Sequence, residues 1–199
     1  MTVTADLVSG ILPVRPDGRL LLLQRATTGT WEPPAGRLTP RESFETGAVR
    51  ELYEETSLLV APMSILATWV GERPGGEPLA SVTYIGRTME SEVRFSDEHL
   101  DYRWVTLQEW LDLPSWWSRE NIERVAGPLA SLPEDSLPQP SLPDPDAHRV
   151  IRATLGAGTV IADLEGDEPR ALLLRRRKPP VGLWENPGGM LEPGEDFLS

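Results

Sequence analysis

The 199-residue sequence predicts an α/β fold, followed by an incomplete second copy of the same unit. Up to about residue 126, short apolar runs that favour strands alternate with segments whose apolar residues recur at helical spacing. After a proline-rich stretch, several motifs of the first unit recur in the same order. With 39% hydrophobic and 25% charged residues, the chain has the composition of a globular protein.

The strands predicted in the first unit are short apolar runs bounded by turn residues. Residues 7–14 and 20–24 flank a Pro-Asp-Gly sequence at 16–18, which is typical of the turn of a hairpin. Further strands are predicted at residues 58–70, 79–88 and 102–105.

The clearest helix is predicted at residues 43–56. Ser43 is a favourable N-cap, and Ala48, Val49 and Leu52 form an apolar stripe beside an acidic face. Two further helices are predicted at residues 107–113 and 117–129.

The pattern divides the chain into three parts. Residues 1–126 form the first domain, residues 127–148 a linker, and residues 149–199 the N-terminal half of a second domain of the same kind. The linker contains SLPED, SLPQP and SLPDP in succession, and proline at this density favours an extended polyproline II spacer.

The predicted second unit rests on motifs that keep their order. LLLQR at residues 21–25 recurs as LLLRR at 172–176, and WEPPAG at 31–36 recurs as WENPGG at 184–189. In both copies a glutamate lies six residues beyond the last glycine, and a phenylalanine follows two residues later. Such agreement indicates an internal repeat.

Charge and composition limit the partners. The formal net charge of −12 argues against duplex nucleic acid and anionic membranes, although a bound cation would still admit a small nucleotide. The absence of cysteine excludes disulfides, thiolate zinc sites and cysteine nucleophiles. Since neither a signal peptide nor a long apolar run is found, a cytoplasmic protein is expected, and a homodimer stays open. Lys178 is the one lysine beside many arginines, which favours a bacterial source.

An acidic cluster at the end of the predicted helix 43–56 has no explanation in helix stability. Glu51, Glu54 and Glu55 share one helix face at i,i+3 and i,i+4 spacing, so their charges repel. They also lie in the last turns, where the helix dipole disfavours negative charge. A divalent cation bound by carboxylate oxygens would reverse this balance. The cluster therefore predicts a metal site.

The segment from Gly36 to Leu58 resembles the Nudix box, G-x5-E-x7-R-E-U-x-E-E-x-G-U, in which U is a bulky aliphatic residue. Gly36, Glu42, Arg50 and the acidic cluster all occupy defined positions of this pattern. The departure is Ser57, where the family has a glycine that ends the helix in a left-handed conformation. Serine there is expected to cost on the order of 1 kcal/mol.

The resemblance implies a Nudix-type α/β/α sandwich with a mixed central sheet. It also implies a hydrolase that uses Mg²⁺ or Mn²⁺ to cleave the diphosphate linkage of a nucleoside diphosphate joined to another moiety, of the ADP-ribose, dinucleotide or (d)NTP type. The implied metal ligands are Glu51, Glu54, Glu55, the carbonyl of Ala35 and a later-loop glutamate, Glu98.

The resemblance further implies roles beyond the metal. Arg50 and Glu42 match a pair that braces the loop against the helix. For the general base, Glu54 is the first choice and Glu98 the second; the alternative for Glu98 is a solvated acidic loop.

The remaining candidates each have a structural alternative. Arg25 matches a position that contacts substrate phosphate, but a surface ion pair is equally compatible with the sequence. Trp31 and Gly36 are candidates for substrate binding, with core packing as the favoured alternative for Trp31. Base stacking or core packing is open for Trp69, Trp110, Trp116 and Trp117. His99 is expected to be structural.

The sequence is less compatible with two rival functions. A non-catalytic nucleotide-sensing module would commonly lack the acidic residues that this chain retains, and an isomerase of isoprenoid diphosphates normally needs a cysteine. The second unit ends before its acidic helix, so we expect it to hold no metal and to be a fragment of a tandem protein. The alternative is that residues 149–199 pack as accessory strands on the first unit or on a neighbouring chain.

Overall fold

A computed structural model describes most of the first unit and short segments beyond it. The described residues are 4–72, 76–134, 138–141, 152–154, 156–158, 162–163, 170–171, 174–175, 184–185 and 187–190. The turn predicted around residues 73–75, most of the predicted polyproline linker, and Glu195 and Phe197 of the predicted second unit lie outside the described residues.

Within the described residues, eight strands form one mixed sheet. They are β1 (Thr4–Val14), β2 (Leu20–Arg25), β3 (Trp31–Glu32), β4 (Ala35–Arg37), β5 (Ser64–Glu72), β6 (Pro78–Arg87), β7 (His99–Val105) and β8 (Arg152–Thr154). The main order is β3-β2-β1-β6-β5, with β7 on β2. Strands β1 and β6 run parallel, whereas the other pairs are antiparallel, which confirms the mixed sheet.

Strand β1 is the centre of this sheet because both of its edges are paired. One edge carries β6 from Asp6 to Val14. The other edge carries three strands in succession, with β8 opposite Thr4–Asp6, β4 opposite Val8–Gly10 and β2 opposite Val14.

Short strands in the C-terminal part of the chain form three further ladders. They are β9 (Gly156–Gly158), β10 (Ala162–Asp163), β11 (Arg170–Ala171), β12 (Leu174–Arg175), β13 (Trp184–Glu185) and β14 (Gly188–Met190). All three ladders, β10 with β11, β12 with β13, and β14 with β9, are antiparallel.

Helices cover both faces of the sheet. They are α1 (Phe44–Thr56), α2 (Leu107–Leu111), α3 (Arg119–Arg124) and α4 (Ala126–Ala130). None of these helices in the described part of the chain is long and apolar enough to cross a membrane.

The two faces follow from the alternation of side chains along the strands. Ile11 and Leu21 point to the α1 side, where they pack with Leu52. Leu12 and Leu22, one residue further on each strand, point to the opposite side and pack with residues of α2 and α3. The result is a sheet between two helical layers, in agreement with the predicted sandwich.

Helix α1 begins and ends where its sequence signals lie. Ser43 Oγ accepts from the backbone N–H of Thr46 at 3.1 Å, and the Thr46 hydroxyl lies 3.2 Å from the Ser43 N–H, which completes a capping box. At the other end, Ser57 is left-handed with φ 61° and its N–H donates to Tyr53 O at 2.8 Å. Serine therefore adopts the conformation that glycine takes in the box.

Two of the predicted elements were too long. The strand expected at residues 58–70 begins only at Ser64, because Leu58 and Val60 are buried in the core by an irregular segment that contains Pro62. The helix expected at residues 117–129 divides into α3 and α4, because Pro128 has no N–H to continue a helix. The predicted strands at 79–88 and 102–105 and the helix at 107–113 are confirmed within a few residues.

The packed region extends beyond the boundary that the sequence predicted at residue 126. Helix α4 crosses this boundary, and Leu132 is buried in the core with Val125. Arg87 donates to the carbonyls of Leu132 and Pro133, so the first residues of the predicted linker belong to the folded unit.

Replacing Ser57 by glycine should stabilise the protein, because glycine adopts φ 61° without the steric cost of a Cβ. We expect Ser57→Gly to raise the free energy of unfolding by about 0.5 to 1 kcal/mol in urea denaturation. The matched control is Ser57→Ala, which keeps the Cβ and should bring no gain. An equal gain in both variants would contradict the strain argument.

Candidate active site

The predicted site residues gather where β4, the following loop and helix α1 meet. Strand β4 is held against β1 in antiparallel register, with Gly10 opposite Ala35. Residues 94–96 close the C-terminal end of α1, since the N–H groups of Arg94 and Ser96 donate to the carbonyls of Thr56 and Glu55. The ends of the β4–α1 segment are thereby fixed by backbone hydrogen bonds.

Arg50 lies at the centre of the site and its side chain is only 4% exposed. Its Nε donates to Glu42 Oε1 at 2.6 Å, and its Nη2 donates to Glu42 Oε2 at 3.0 Å and to the carbonyl of Arg37 at 2.9 Å. The remaining nitrogen, Nη1, donates to Glu51 Oε1 at 2.8 Å and to Glu54 Oε2 at 2.9 Å. A single guanidinium therefore connects the strand, the loop and two of the three acidic residues of the cluster.

Glu42 links this guanidinium to the loop backbone. Its Oε2 also accepts from the N–H of Thr39 at 2.8 Å. Burial alone would raise the pKa of Glu42, but the hydrogen bonds from Arg50 and Thr39 outweigh it, and the pKa lies below its ordinary value. The carboxylate is thus held in its charged form.

The carboxylate of Glu51 lies directly over Gly36. A Cβ placed on Gly36 would be 2.1 Å from Cδ and Oε2 of Glu51, so no side chain fits there unless the carboxylate moves. Burial raises the pKa of Glu51, and the charges of Glu54 and Glu42 act in the same direction against the pull of Arg50. This close approach explains the glycine at position 36.

Glu55 is the most deeply buried of the three glutamates. Its Oε2 accepts from the N–H of Ala35 at 2.9 Å, and its Oε1 lies 3.6 Å from Nε2 of His99. Burial and the neighbouring Glu51 raise the pKa of Glu55 well above its ordinary value. Burial and Arg25 lower the pKa of His99 to about 4, so the imidazole is neutral at pH 7 and this contact is no ion pair.

The three glutamates do not converge as they would around an ion. Across the described residues, no group of three His, Asp or Glu side chains is placed to hold a metal. The physical reason is local, because Arg50 binds Glu51 and Glu54 from one side while Glu55 turns to the N–H of Ala35. The residue types do fit a hard divalent cation, since they supply carboxylate oxygens. Burial and, after it, the charges of neighbouring glutamates raise the pKa of Glu51 and Glu55, and a bound cation would relieve both effects.

Arg25 and Glu98 form a second charged group beside the first. Arg25 Nε donates to Glu32 Oε1, and Nη1 lies 3.9 Å from Glu98 Oε2. The Glu98 side chain is 68% exposed and its charged partner is Arg25. The structure therefore places Arg25 in ion pairs near the acidic cluster, and Glu98 at its rim.

A cavity of about 940 Å³ opens next to these residues. Its wall includes Arg25, Glu32, Ala35, Trp69, Trp116 and Asn121. Trp69 and Trp116 meet edge to face with ring centroids 5.7 Å apart, and Trp116 Nε1 is buried without a hydrogen-bond partner in the described part of the chain. The cavity thus joins an aromatic end to a charged end.

Other sequence candidates lie away from this cavity. Trp31 is 2% exposed and packs in the core beneath β2, with the guanidinium of Arg103 4.5 Å above its ring. Trp110 also belongs to this core. For both residues, core packing is the alternative that the structure supports.

Glu32 was missed as a candidate although it lines the cavity and binds Arg25. Glu32 reaches Arg25 because β2 pairs with β3. Leu23 lies opposite Glu32, and Arg25 follows two residues later on β2. The signal in the sequence was the recurrence of Trp31-Glu32 as Trp184-Glu185.

Known proteins are similar to the part of the chain that contains this site. A model of the NUDIX domain family matches residues 5–125. A MutT-like protein of Streptomyces ambofaciens is 34% identical over 102 residues, which are 51% of this chain and 64% of that protein. The asymmetrical bis(5'-nucleosyl)-tetraphosphatase of Mus musculus is 30% identical over 95 residues, which are 44% of this chain and 65% of that protein. The chain thus spans less than two thirds of the length of these relatives.

A solved structure shows the same fold. The MutT protein from Methanosarcina mazei Go1 superposes with a TM-score of 0.56 at 26% identity, over 62% of this chain and 94% of that chain.

The Glu42 carboxylate should make stability depend on pH. Because its pKa is lowered in the folded state, it contributes stability above the unfolded pKa of about 4.3 and loses it as the pH falls through the folded pKa. We expect Glu42→Gln to lower the free energy of unfolding by roughly 3 kcal/mol at pH 7 and by much less at pH 3, in denaturation series at both pH values.

The control for this comparison is Glu120→Gln, which removes an exposed helix pair with Arg124. It should change the free energy of unfolding by less than about 0.5 kcal/mol at either pH. A loss in Glu42→Gln that is the same at pH 3 and pH 7 would rule out the charged pair as its source.

Proposed function

Because this chain belongs to the NUDIX domain family, we propose that its first unit is a divalent-metal-dependent pyrophosphohydrolase. Its substrate would be a nucleoside diphosphate joined to another moiety, and its reaction the hydrolysis of the diphosphate linkage. The observation that carries this proposal is the position of Ala35, which contacts the acidic cluster through Glu55 and also lines the 940 Å³ cavity. The diphosphate of a substrate bound at the acidic cluster would thus lie next to a nucleoside bound in the cavity.

The groups that would hold the cation are the carboxylates of Glu51, Glu54 and Glu55 with the carbonyl of Ala35. When bound, Mg²⁺ or Mn²⁺ would neutralise the negative charge of the diphosphate and make water a stronger nucleophile. Arg50 and Glu42 support this set, since together they fix the helix face from which the carboxylates project.

Proton removal from water requires a carboxylate that water can reach. The Glu54 side chain is 38% exposed, whereas those of Glu51 and Glu55 are largely buried. Glu54 is therefore the first candidate for the general base. Glu98 is the second, because its exposed carboxylate lies beside Arg25 at the rim of the site.

The cavity suggests how the rest of the substrate would bind. Trp69 and Trp116 present aromatic surface for stacking on a nucleobase, and the buried Trp116 Nε1 supplies a hydrogen-bond donor. At the charged end, the Arg25 guanidinium is placed to attract phosphate oxygens. This arrangement suits ADP-ribose, dinucleotide and (d)NTP-type compounds alike.

A nucleotide-sensing module without catalysis is the rival function. It would use the same cavity but would not need three carboxylates on one helix face, where they destabilise the free protein. The name of the mouse relative, a tetraphosphatase, also favours hydrolysis.

The proposed activity is tested with a panel of nucleoside diphosphate derivatives, nucleoside triphosphates and dinucleoside polyphosphates, each with Mg²⁺ and Mn²⁺. We expect metal-dependent release of a nucleoside monophosphate or diphosphate from at least one class. Glu54→Gln should lower kcat by about 100-fold or more, because it removes the proposed base. The exposed Glu123→Gln serves as the control and should be fully active.

Two results would count against this assignment. Nucleotide binding by calorimetry without turnover in any divalent ion would favour the sensing module. Near-normal turnover in Glu54→Gln together with a large loss in Glu98→Gln would move the base to Glu98.

Metal binding can be tested separately from turnover through Gly36. Gly36→Ala should displace the Glu51 carboxylate and weaken Mn²⁺ binding by roughly 10-fold in calorimetric titration with the ion alone. Gly127→Ala is the matched control, since nothing lies within 4 Å of a Cβ at that position. Equal Mn²⁺ affinities in the two variants would show that Glu51 is not a ligand.

A further inference from the structure

The ladders at the C-terminal end of the chain repeat those of the first unit residue by residue. In the first unit the pairs are Gly10 with Ala35, Val14 with Leu20, and Leu23 with Glu32. In the C-terminal ladders the pairs are Gly158 with Gly188, Ala162 with Ala171, and Leu174 with Glu185. Each pair joins residues that hold the same places in the two copies of the sequence.

This correspondence identifies the counterpart of β1. Gly158 and Ala162 are separated by the same number of residues as Gly10 and Val14, so the two strands align without a gap. Extended towards the N-terminus, the alignment places Arg152, Ala153 and Thr154 at the positions of Thr4, Ala5 and Asp6. Strand β8 is therefore the start of the second copy of β1.

The pairing of β8 with β1 is symmetric under this correspondence. Ala5 lies opposite Ala153, which is its own counterpart. Thr4 lies opposite Thr154, the counterpart of Asp6, and Asp6 lies opposite Arg152, the counterpart of Thr4. An antiparallel pair with this register has a local two-fold axis between Ala5 and Ala153. It is the arrangement found at isologous interfaces of symmetric dimers.

No other described strand competes with β8 for this part of the β1 edge. Within residues 4–134, β4 and β2 pair with β1 only from Val8 onwards, so neither strand lies beside its Thr4–Asp6 end. Among the described strands, β8 is the one that pairs with this part of the edge. An open edge exposes unpaired N–H and C=O groups and invites association with other chains.

We propose that the edge of β1 at Thr4–Asp6 is a self-recognition site that binds the equivalent strand of the second unit in the same chain. The two units form an internal pair about a two-fold axis through Ala5 and Ala153, and each extends the β1 ladder of the other. The partner of this surface is thus a second copy of the unit itself, supplied in cis. The same edge is then unavailable for a homodimer.

Disulfide cross-linking of the 199-residue chain tests both the register and the symmetry, since this sequence contains no cysteine. The variants are Thr4→Cys with Thr154→Cys, and Asp6→Cys with Arg152→Cys. Residues directly opposite in an antiparallel pair have Cα atoms about 4.5 to 5.5 Å apart, within the range of a disulfide. Both pairs flank the axis equally, so we expect similar yields of an intramolecular disulfide, measured by peptide mapping with mass spectrometry.

The matched control combines one member of each pair, Thr4→Cys with Arg152→Cys. These residues lie on the diagonal, about 7 to 8 Å apart, and should cross-link poorly. If a flanking variant is insoluble, Ala5→Cys with Ala153→Cys tests the same register at the axis.

Three outcomes would overturn the proposal. Equal yields in the direct and diagonal pairs would mean that no fixed register exists. Cross-linking of one flanking pair without the other would exclude the two-fold axis. Disulfide-linked dimers of two chains would show that the edge recognises the second unit of another molecule.

Discussion

The bonding of Arg50 is the constraint on which the candidate site depends. A buried guanidinium must have its charge and its N–H groups satisfied, because leaving either unpaired costs several kcal/mol. Here the partners come from three places, namely the carbonyl that ends β4, the loop glutamate Glu42, and two glutamates of α1. The need to satisfy one side chain thus sets the distance between strand and helix and the direction of the acidic face.

The acidic cluster shows how a fold can retain an unfavourable charge distribution. Glu55 is buried, Glu51 is partly buried, and the two repel each other; both have raised pKa values. The surrounding structure compensates through Arg50, the Ala35 N–H and the nearby Arg25. Local features that reduce stability without structural benefit are typical of functional sites.

The sequence was informative where the signals are local and less so where they depend on distant partners. Helix α1 could be predicted to the residue because its cap, stripe and end lie within one short segment. Strands β3 and β4 were missed, since two or three residues become a strand only through pairing with β2 and β1. Leu58 and Val60 were predicted to lie in a strand because they are apolar. They are apolar because they pack in the core, and they do not belong to the sheet. In the site, the resemblance to the Nudix box implied the pairing of Arg50 with Glu42, whereas the pairing of Arg25 with Glu32 and Glu98 depends on the meeting of β2, β3 and β7.

The two-sided pairing of β1 has a consequence for the history of the chain. Under the proposed self-recognition, a strand edge that matches its own copy about a two-fold axis would need no new partner surface after a duplication, because the duplicate would carry the complementary edge. In that arrangement, a substitution near Ala5 in one copy would have to remain compatible with the paired strand of the other copy. In the proposed arrangement, the presence of both copies in one chain would also raise their effective concentration far above that of free subunits, so that even a short strand could keep them together.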